Sequence, residues 1–476
     1  MDPNRQLNDT VLRQPRASEL QPILMVNEIP RKSRWFVNHY VLFFSCFTFL
    51  AFIGGSLLTL PVSSNSGTIT NFDVALFTAT SAITITGLAV VSTSSYWSPF
   101  GQAIIFSLML LGGISLISVT SFLLLSIGHN FHLFQRATPT RSLGSSNTTK
   151  LAYLTRNIAM TLCVLYLLGA AAIFWNMHVA ATSEIKASLW QSIFLSVSAF
   201  NNSGFSIMPG IGNNEMLNII PSDKFLIGTL TILMIIGGLG WPVIVDFYQK
   251  RKFNRLSLNT KLVLTTSLFL WLIGTGIFLL AESGNTLAGL NFLDKLWYSI
   301  FHSISGRTAG FHIVDFQSVQ DFTKLTYPAL MFIGGGSASM AGGIKINAFA
   351  VIIVAVISSL KGRRRPEAFG REVSRDQVSL ALTLGFLGIV FVIAVMPILN
   401  ITEPHVHFLD LLFETVSAFS TNGTSVGVSN KLSIVGKSIF ILAMLIGRLG
   451  PIALALILIP RDNSVYHFME ERVTIG

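Results

Sequence analysis

The sequence predicts an all-α polytopic membrane protein made of four tandem helix, half-helix, loop, helix repeats in pseudo-four-fold arrangement around one central pore. Three observations predict it. Charged residues are 11% of 476, the hydrophobic fraction is 51% and the mean hydropathy is +0.63, which leaves too little polarity to clothe a water-facing surface. One local pattern, an aromatic residue, a hydroxyl-rich helical turn and a glycine, recurs four times. Lys and Arg gather on alternate connections between the apolar runs.

The first unit opens with an apolar run over 35–60, long enough to span a bilayer. Residues 72–83 are too short to cross and suit a re-entrant half-helix, and Thr84-Ile85-Thr86-Gly87 follows before 100–127 crosses back. The same order recurs as 158–179, 187–200, Asn201-Asn202-Ser203-Gly204 and 225–247. A third copy reads 262–281, 292–305, Arg307-Thr308-Ala309-Gly310 and 326–360, and a fourth 378–399, 408–419, Ser420-Thr421-Asn422-Gly423 and 433–459. Eight crossings and four hairpins result. The expected divisions are a cytoplasmic tail over 1–34, repeats over 35–127, 128–247, 248–360 and 361–460, and a second cytoplasmic tail over 461–476. From Phe77, Phe194 and Phe413 to the loop glycine is ten residues; from Phe301 to Gly310 it is nine.

The formal charge of +10 matters less than its distribution. Of 32 Lys and Arg, 23 lie on the tails and the connections sharing their side, 6 on the opposite side, and Arg307, Lys345 and Arg448 stand in apolar context. This positive-inside asymmetry puts both termini in the cytoplasm and makes the lipid bilayer, not nucleic acid, the expected surroundings. Cys46 and Cys163 lie in apolar runs, so no disulfide framework or cysteine metal cluster is expected. Residues 1–30 are polar and lack the apolar core of a signal peptide.

A second marker falls in each returning span: Gly112-Gly113, Gly237-Gly238, Gly334-Gly335 and Gly447-Arg448, at 25, 33, 24 and 24 residues after the loop glycine. For the first two pairs, close helix packing by small residues is the expected role. The third continues as Gly334-Gly335-Gly336-Ser337-Ala338-Ser339-Met340-Ala341-Gly342-Gly343. Each glycine costs about 1 kcal/mol against alanine in a helix, so a break is expected there.

These patterns point to cation passage. A dehydrated alkali ion needs its water oxygens replaced, and rings of backbone carbonyls do this without adding net charge. Gly87, Gly204, Gly310 and Gly423 keep every wall free of side chains, which favours K⁺ over Na⁺, and the half-helices aim their negative C-terminal ends at the ion. Arg307 suits two roles, a structural clamp paired with Glu414 or Asp315 and a positive field limiting cation occupancy. Lys345 suits two roles, snorkelling to the inner headgroups and a place in the gate formed by the 334–343 segment, and Arg448 is expected to touch that gate. Asp410 and Glu414, one turn apart, suit either an outer vestibule or a proton relay. His302, before the third loop, suits a satisfied buried histidine ahead of a pH sensor.

With TITGL at 84–88, NNSGF at 201–205, RTAGF at 307–311, GGGSASMAGGIK at 334–345 and IGRLGP at 446–451, the chain resembles the Trk/Ktr/HKT superfamily of K⁺-translocating subunits over about 35–460. Without an extra helical pair before the first repeat, it is closer to the Ktr-type B subunit than to the Trk-type H subunit. The resemblance implies a membrane homodimer with one pore per subunit, docked on a cytoplasmic ring of nucleotide-binding RCK subunits. It also implies an intramembrane gate after the third loop, with Arg448 as the last-helix arginine. Two places depart from the family pattern: Gly336, Ala338 and Met340 stand in a gate that is usually richer in Ser and Thr, and the fourth loop reads Ser-Thr-Asn-Gly-Thr. A Na⁺- or H⁺-coupled K⁺ symporter of the same architecture is the alternative, with Na⁺ as coupled or activating ion. An intramembrane hydrolase is disfavoured, since Gly113-Ile114-Ser115 and Gly335-Gly336-Ser337 belong to no G-x-S-x-G motif and H-E-x-x-H is absent.

Overall fold

A computed structural model describes residues 39–113, 147–180, 185–208, 223–363 and 365–449. Both expected tails, with the ends of the spans expected over 35–60, 100–127 and 433–459, lie outside the described residues. The first repeat contributes α1 (His39–Leu58), the half-helix α2 (Phe72–Ile83), the short α3 (Thr93–Tyr96) and α4 (Pro99–Gly113). The second contributes α5 (Asn147–Ala180), the half-helix α6 (Ile185–Phe200), α7 (Lys224–Leu239) and α8 (Trp241–Lys250). The third contributes α9 (Leu258–Glu282), the half-helix α10 (Phe292–Thr308), α11 (Asp321–Phe332) and α12 (Ile346–Leu360). The fourth contributes α13 (Arg375–Thr402), the half-helix α14 (Phe408–Ser420) and α15 (Ile434–Leu449). A hairpin of β1 (Glu367–Ala368) and β2 (Arg371–Glu372) joins the last two repeats, a small exception to an all-α chain.

Caps in the sequence set several starts. Ser257 and Ser374 accept from Thr260 N and Gln377 N, and Asp223 from Leu226 N, satisfying N–H groups that lack an intrahelical partner. Three described helices are long and apolar enough to cross a membrane: Met160–His178 within α5, α9 and α13. Their surfaces are apolar outward as well as inward, with Trp175 71%, Leu280 84% and Ile401 78% exposed. That is the surface of a chain solvated by lipid. The four repeat phenylalanines Phe77, Phe194, Phe301 and Phe413 are fully buried around the centre.

The span expected over 225–247 as one continuous helix is instead broken, α7 and α8 meeting at 95°. Gly240 takes φ 90°, a conformation L side chains rarely adopt, and Pro242 supplies no N–H, so the α7 ladder stops. The third returning helix is also interrupted, between α11 and α12. The two breaks satisfy each other. Gly336 N donates to Gly238 O (2.9 Å), Met340 N to Gly237 O (3.2 Å) and Trp241 N to Ala338 O (3.3 Å). Irregular backbone survives at membrane depth only when buried polar groups find such partners.

Polar contacts link the repeats in cyclic order. Lys437 pairs with Asp73 (2.6 Å), Lys224 with Asp294 (2.7 Å) and Lys324 with Asp410 (2.8 Å), each joining a returning helix to the next repeat's half-helix. Between the first and second repeats a neutral bond replaces the ion pair, Trp190 Nε1 donating to Gln102 Oε1 at 3.0 Å. Gln102, Lys324 and Lys437 all stand ten residues before the first glycine of their marker pair.

Candidate functional site

The four loops after α2, α6, α10 and α14 are built on one hydrogen bond. Each half-helix carries a serine four residues after its repeat phenylalanine: Ser81, Ser198, Ser305 and Ser417. Its carbonyl accepts the N–H five residues on, from Thr86 (2.8 Å), Ser203 (2.8 Å), Gly310 (3.0 Å) and Asn422 (2.9 Å). The hydroxyls act on the loop too. Ser198 Oγ donates to Phe205 O (2.7 Å), Ser305 Oγ to Phe311 O (2.5 Å), and Gly423 N donates to Ser417 Oγ (3.1 Å). The serines lie outside the residues picked from sequence, although their equal spacing from the phenylalanines was a usable signal.

The one-residue difference in the third loop has a conformational cause. Ile85, Asn202 and Thr421 take φ of 58°, 55° and 48°, a left-handed step that ends the helix before the loop glycine. The third copy omits that step: Arg307 and Thr308 remain in α10, and Ala309 turns directly into Gly310 at φ 75°. Arg307 and Thr308, expected in the loop, are thus its helical support.

The loops meet in a closed cycle. A Cβ on Gly87 would lie 1.8 Å from Ser203 O, one on Gly204 2.6 Å from Ala309 O, one on Gly310 2.2 Å from Asn422 O, and one on Gly423 2.0 Å from Thr86 O. Each glycine therefore abuts the carbonyl preceding the next repeat's glycine. All four also have φ between 75° and 93°. Many loop side chains turn into the scaffold. Asn201 Oδ1 accepts from Tyr166 Oη (2.6 Å), Asn422 Nδ2 donates to Gly306 O (2.9 Å), Thr84 Oγ1 to Thr80 O (2.7 Å) and Ser203 Oγ to Met109 Sδ (3.1 Å). The glycine pairs serve this arrangement. Gly112, Gly237 and Gly447 lie against Ile83 O, Phe200 O and Phe419 O, the last turns of their own half-helices, while Gly113 and Gly238 lie against Asn201 and Asn202.

The 334–345 segment lies directly against the fourth loop: a Cβ on Gly342 would meet Thr421 Oγ1 at 2.0 Å, and one on Gly343 Ser420 Cα at 3.3 Å. Besides its bonds to α7 and α8, Gly334 N donates to Ile344 O (2.9 Å), Ile346 N to Gly335 O (3.0 Å) and Ser337 N to Asn347 Oδ1 (2.9 Å). Ala338 takes φ 58°. Arg448, 4% exposed and in the position of a marker glycine, donates from Nη1 to Met340 O. Lys345 does not extend away to headgroups; its Nζ folds back onto Ala341 O.

Arg307 pairs with neither Glu414 nor Asp315. Its guanidinium lies over the Trp271 ring, 5.4 Å from the centroid, with Nη2 3.5 Å from Ser267 Oγ, and it has no ion pair among the described residues. Glu414 instead ties down the turn after the fourth loop, accepting from Val426 N (3.0 Å), Val428 N (2.7 Å), Ser429 Oγ (2.6 Å) and Ser425 Oγ. Asp410 is in turn held by Lys324 at 2.8 Å, so both acids have partners within the scaffold. His302 is buried without a ring hydrogen bond among the described residues, stacked 4.8 Å from Phe278 in an aromatic cluster. Its expected polar satisfaction is replaced by ring packing.

Among known proteins, the model of the TrkH cation transport protein family matches residues 38–466. The Ktr system potassium uptake protein B of Bacillus subtilis is 34% identical over 426 residues, covering 89% of this chain and 94% of that protein. The potassium/sodium uptake protein NtpJ of Enterococcus hirae is 31% identical over 439 residues, covering 90% and 95%. The crystal structure of the potassium transporter TrkH from Vibrio parahaemolyticus superposes with a TM-score of 0.69 at 17% identity, over 88% of this chain and 84% of that one, a likeness of fold. These relatives are cation transporters and not enzymes, and this chain belongs to the TrkH cation transport protein family.

Proposed function

We propose that this chain carries K⁺ into the cell across the cytoplasmic membrane, through a constriction of backbone carbonyls formed by the four glycine loops. The observation that carries the reading is the closed cycle in which each loop glycine meets the neighbouring repeat's carbonyl. Around such a cycle, peptide oxygens are the groups left to replace an ion's hydration shell, because Asn201, Asn422, Thr84 and Ser203 spend their polar side-chain atoms on the scaffold. Arg307, buried behind the third loop, adds a positive field that limits how many cations occupy the constriction. The 334–345 segment is the gate: it occupies the space against the fourth loop and is held there by α7, α8 and Arg448. In this reading the basic connections and both termini face the cytoplasm. The working unit in this reading is a homodimer docked on a nucleotide-binding RCK ring; the relatives named for a Ktr system support partner subunits of some kind.

A second reading, Na⁺-coupled or Na⁺-activated K⁺ uptake, is favoured by the likeness to a protein named for potassium and sodium. Purified protein in vesicles separates the two. Flux that follows the K⁺ gradient alone, measured with and without a Na⁺ gradient, is the expected result. Uphill K⁺ movement driven by Na⁺ would replace the channel reading by symport.

A further inference from the structure

The break between α7 and α8 does more than free carbonyls for the 334–345 segment, because it also sets the direction of α8. α8 leaves α7 at 95°. Asp246 holds it against the beginning of α9, accepting from Ser257 N (2.9 Å) and Thr260 Oγ1 (2.6 Å). α8 is thus fixed beside the first turn of α9, a 25-residue apolar helix that starts at Leu258 and is long enough to cross a membrane. Its far end exposes Phe247 (55%) and Tyr248 (73%), and Lys250, Arg251, Lys252, Phe253 and Arg255 follow, all exposed. Asp246 is the single acid between 241 and 255, and Lys250 pairs with it at 2.6 Å. Arg251, Lys252 and Arg255 have no ion pair among the described residues. Exposed aromatic rings at the end of α8, with Arg251 over the Tyr248 ring at 5.7 Å and cations without ion pairs just beyond the helix, suit one surface: acyl chains beneath anionic headgroups.

The other end of α8 touches the 334–345 segment. Trp241 N donates to Ala338 O, and Gly240 lies so close to Ser337 O that a Cβ there would stand 2.5 Å away. A shift of α8 breaks this contact. We propose that α8 is an interfacial helix whose basic end binds anionic phospholipid headgroups of the inner leaflet and thereby holds the 334–345 segment in its seated position. The coupling rests on the reading of that segment as a gate; the lipid contact does not. A ligand that binds one arrangement shifts the population toward it, so anionic lipid lowers flux.

The test uses the full chain carrying Cys46→Ala and Cys163→Ala, with Tyr248→Cys labelled by a fluorophore. It is reconstituted in phosphatidylcholine vesicles with increasing phosphatidylglycerol. Quenching by a lipid-borne quencher reports the position of α8, and K⁺ flux reports the segment. The expected result is lipid quenching of the label, flux falling several-fold as the anionic fraction rises, and flux high and independent of lipid when Lys250, Arg251, Lys252 and Arg255 are all changed to Gln. A label reached by aqueous iodide in every lipid assigns this face to a protein partner and overturns the proposal. Lipid-dependent flux that persists in the four-Gln variant overturns it as well. A label buried in lipid with flux indifferent to composition overturns the coupling. Deleting 337–341 without changing flux would instead remove the gate reading, and the quenching result would be untouched.

Discussion

At Gly310 a side chain has nowhere to go. Its Cβ would meet Asn422 O at 2.2 Å and Gly423 C at 2.9 Å, and its φ of 75° already costs an L residue about 1–2 kcal/mol. Gly310→Ser is therefore expected to displace the fourth loop as well as the third and to lower the preference for K⁺ over Na⁺. Reversal potentials under mixed-ion conditions check this, and an unchanged permeability ratio would count against carbonyl coordination at the cycle. The supporting serines make a sharper comparison. Ser198→Ala and Ser305→Ala each remove a buried hydroxyl that holds a loop carbonyl, worth about 1 kcal/mol, with loss of selectivity. Ser81→Ala removes a hydroxyl with no partner among the described residues and should cost less. Thermal unfolding in detergent and the permeability ratio are the readouts; equal effects at all three would discard the hydroxyl's role. Spacing alone exposed the glycines, while the serines emerged only when the folded loops showed which carbonyl each amide reaches.

Among elements, the two broken helices behave as one unit, because carbonyls freed by the end of α7 accept the amides of the 334–345 segment. Glycine density in the sequence was enough to expect the second break. The first was hidden, since Gly237-Gly238-Leu239-Gly240 reads equally well as a small-residue packing stripe, and the segment that accommodates its freed groups lies in another repeat. Arg448 clasps the same segment through Met340 O. Arg448→Gln shortens the reach and removes the charge, so K⁺ leak should rise in the absence of any partner, as it should on deleting 337–341. Tracer uptake into K⁺-loaded vesicles measures both, and wild-type leak in both variants would deny the segment a gating role.

On the scale of the molecule, the ring is closed by polar contacts at the rim and by backbone contacts at the centre. Lys437 and Asp73 are 12% and 23% exposed and join the fourth repeat to the first, contacts that no local pattern could pair across 364 residues. Removing one partner leaves a charge with little water around it, whereas removing both does not. Lys437→Met alone should therefore destabilise more than Lys437→Met with Asp73→Leu, and a double-mutant cycle of melting temperatures reads the coupling. Additive effects would show that the pair does not hold the ring. The lipid-solvated class, the fourfold count of half-helices and loops, and the glycine at each turn were legible in the order of residues. Hydrophobic run length, charge distribution and backbone permissiveness are properties of local composition. The tertiary structure alone decided which carbonyl faces which glycine, that Arg307 rests on Trp271 while Glu414 caps a turn, and that α7 breaks. Those outcomes depend on polar groups finding partners far away in the chain, and buried hydrogen bonding is settled only when all the repeats are in place.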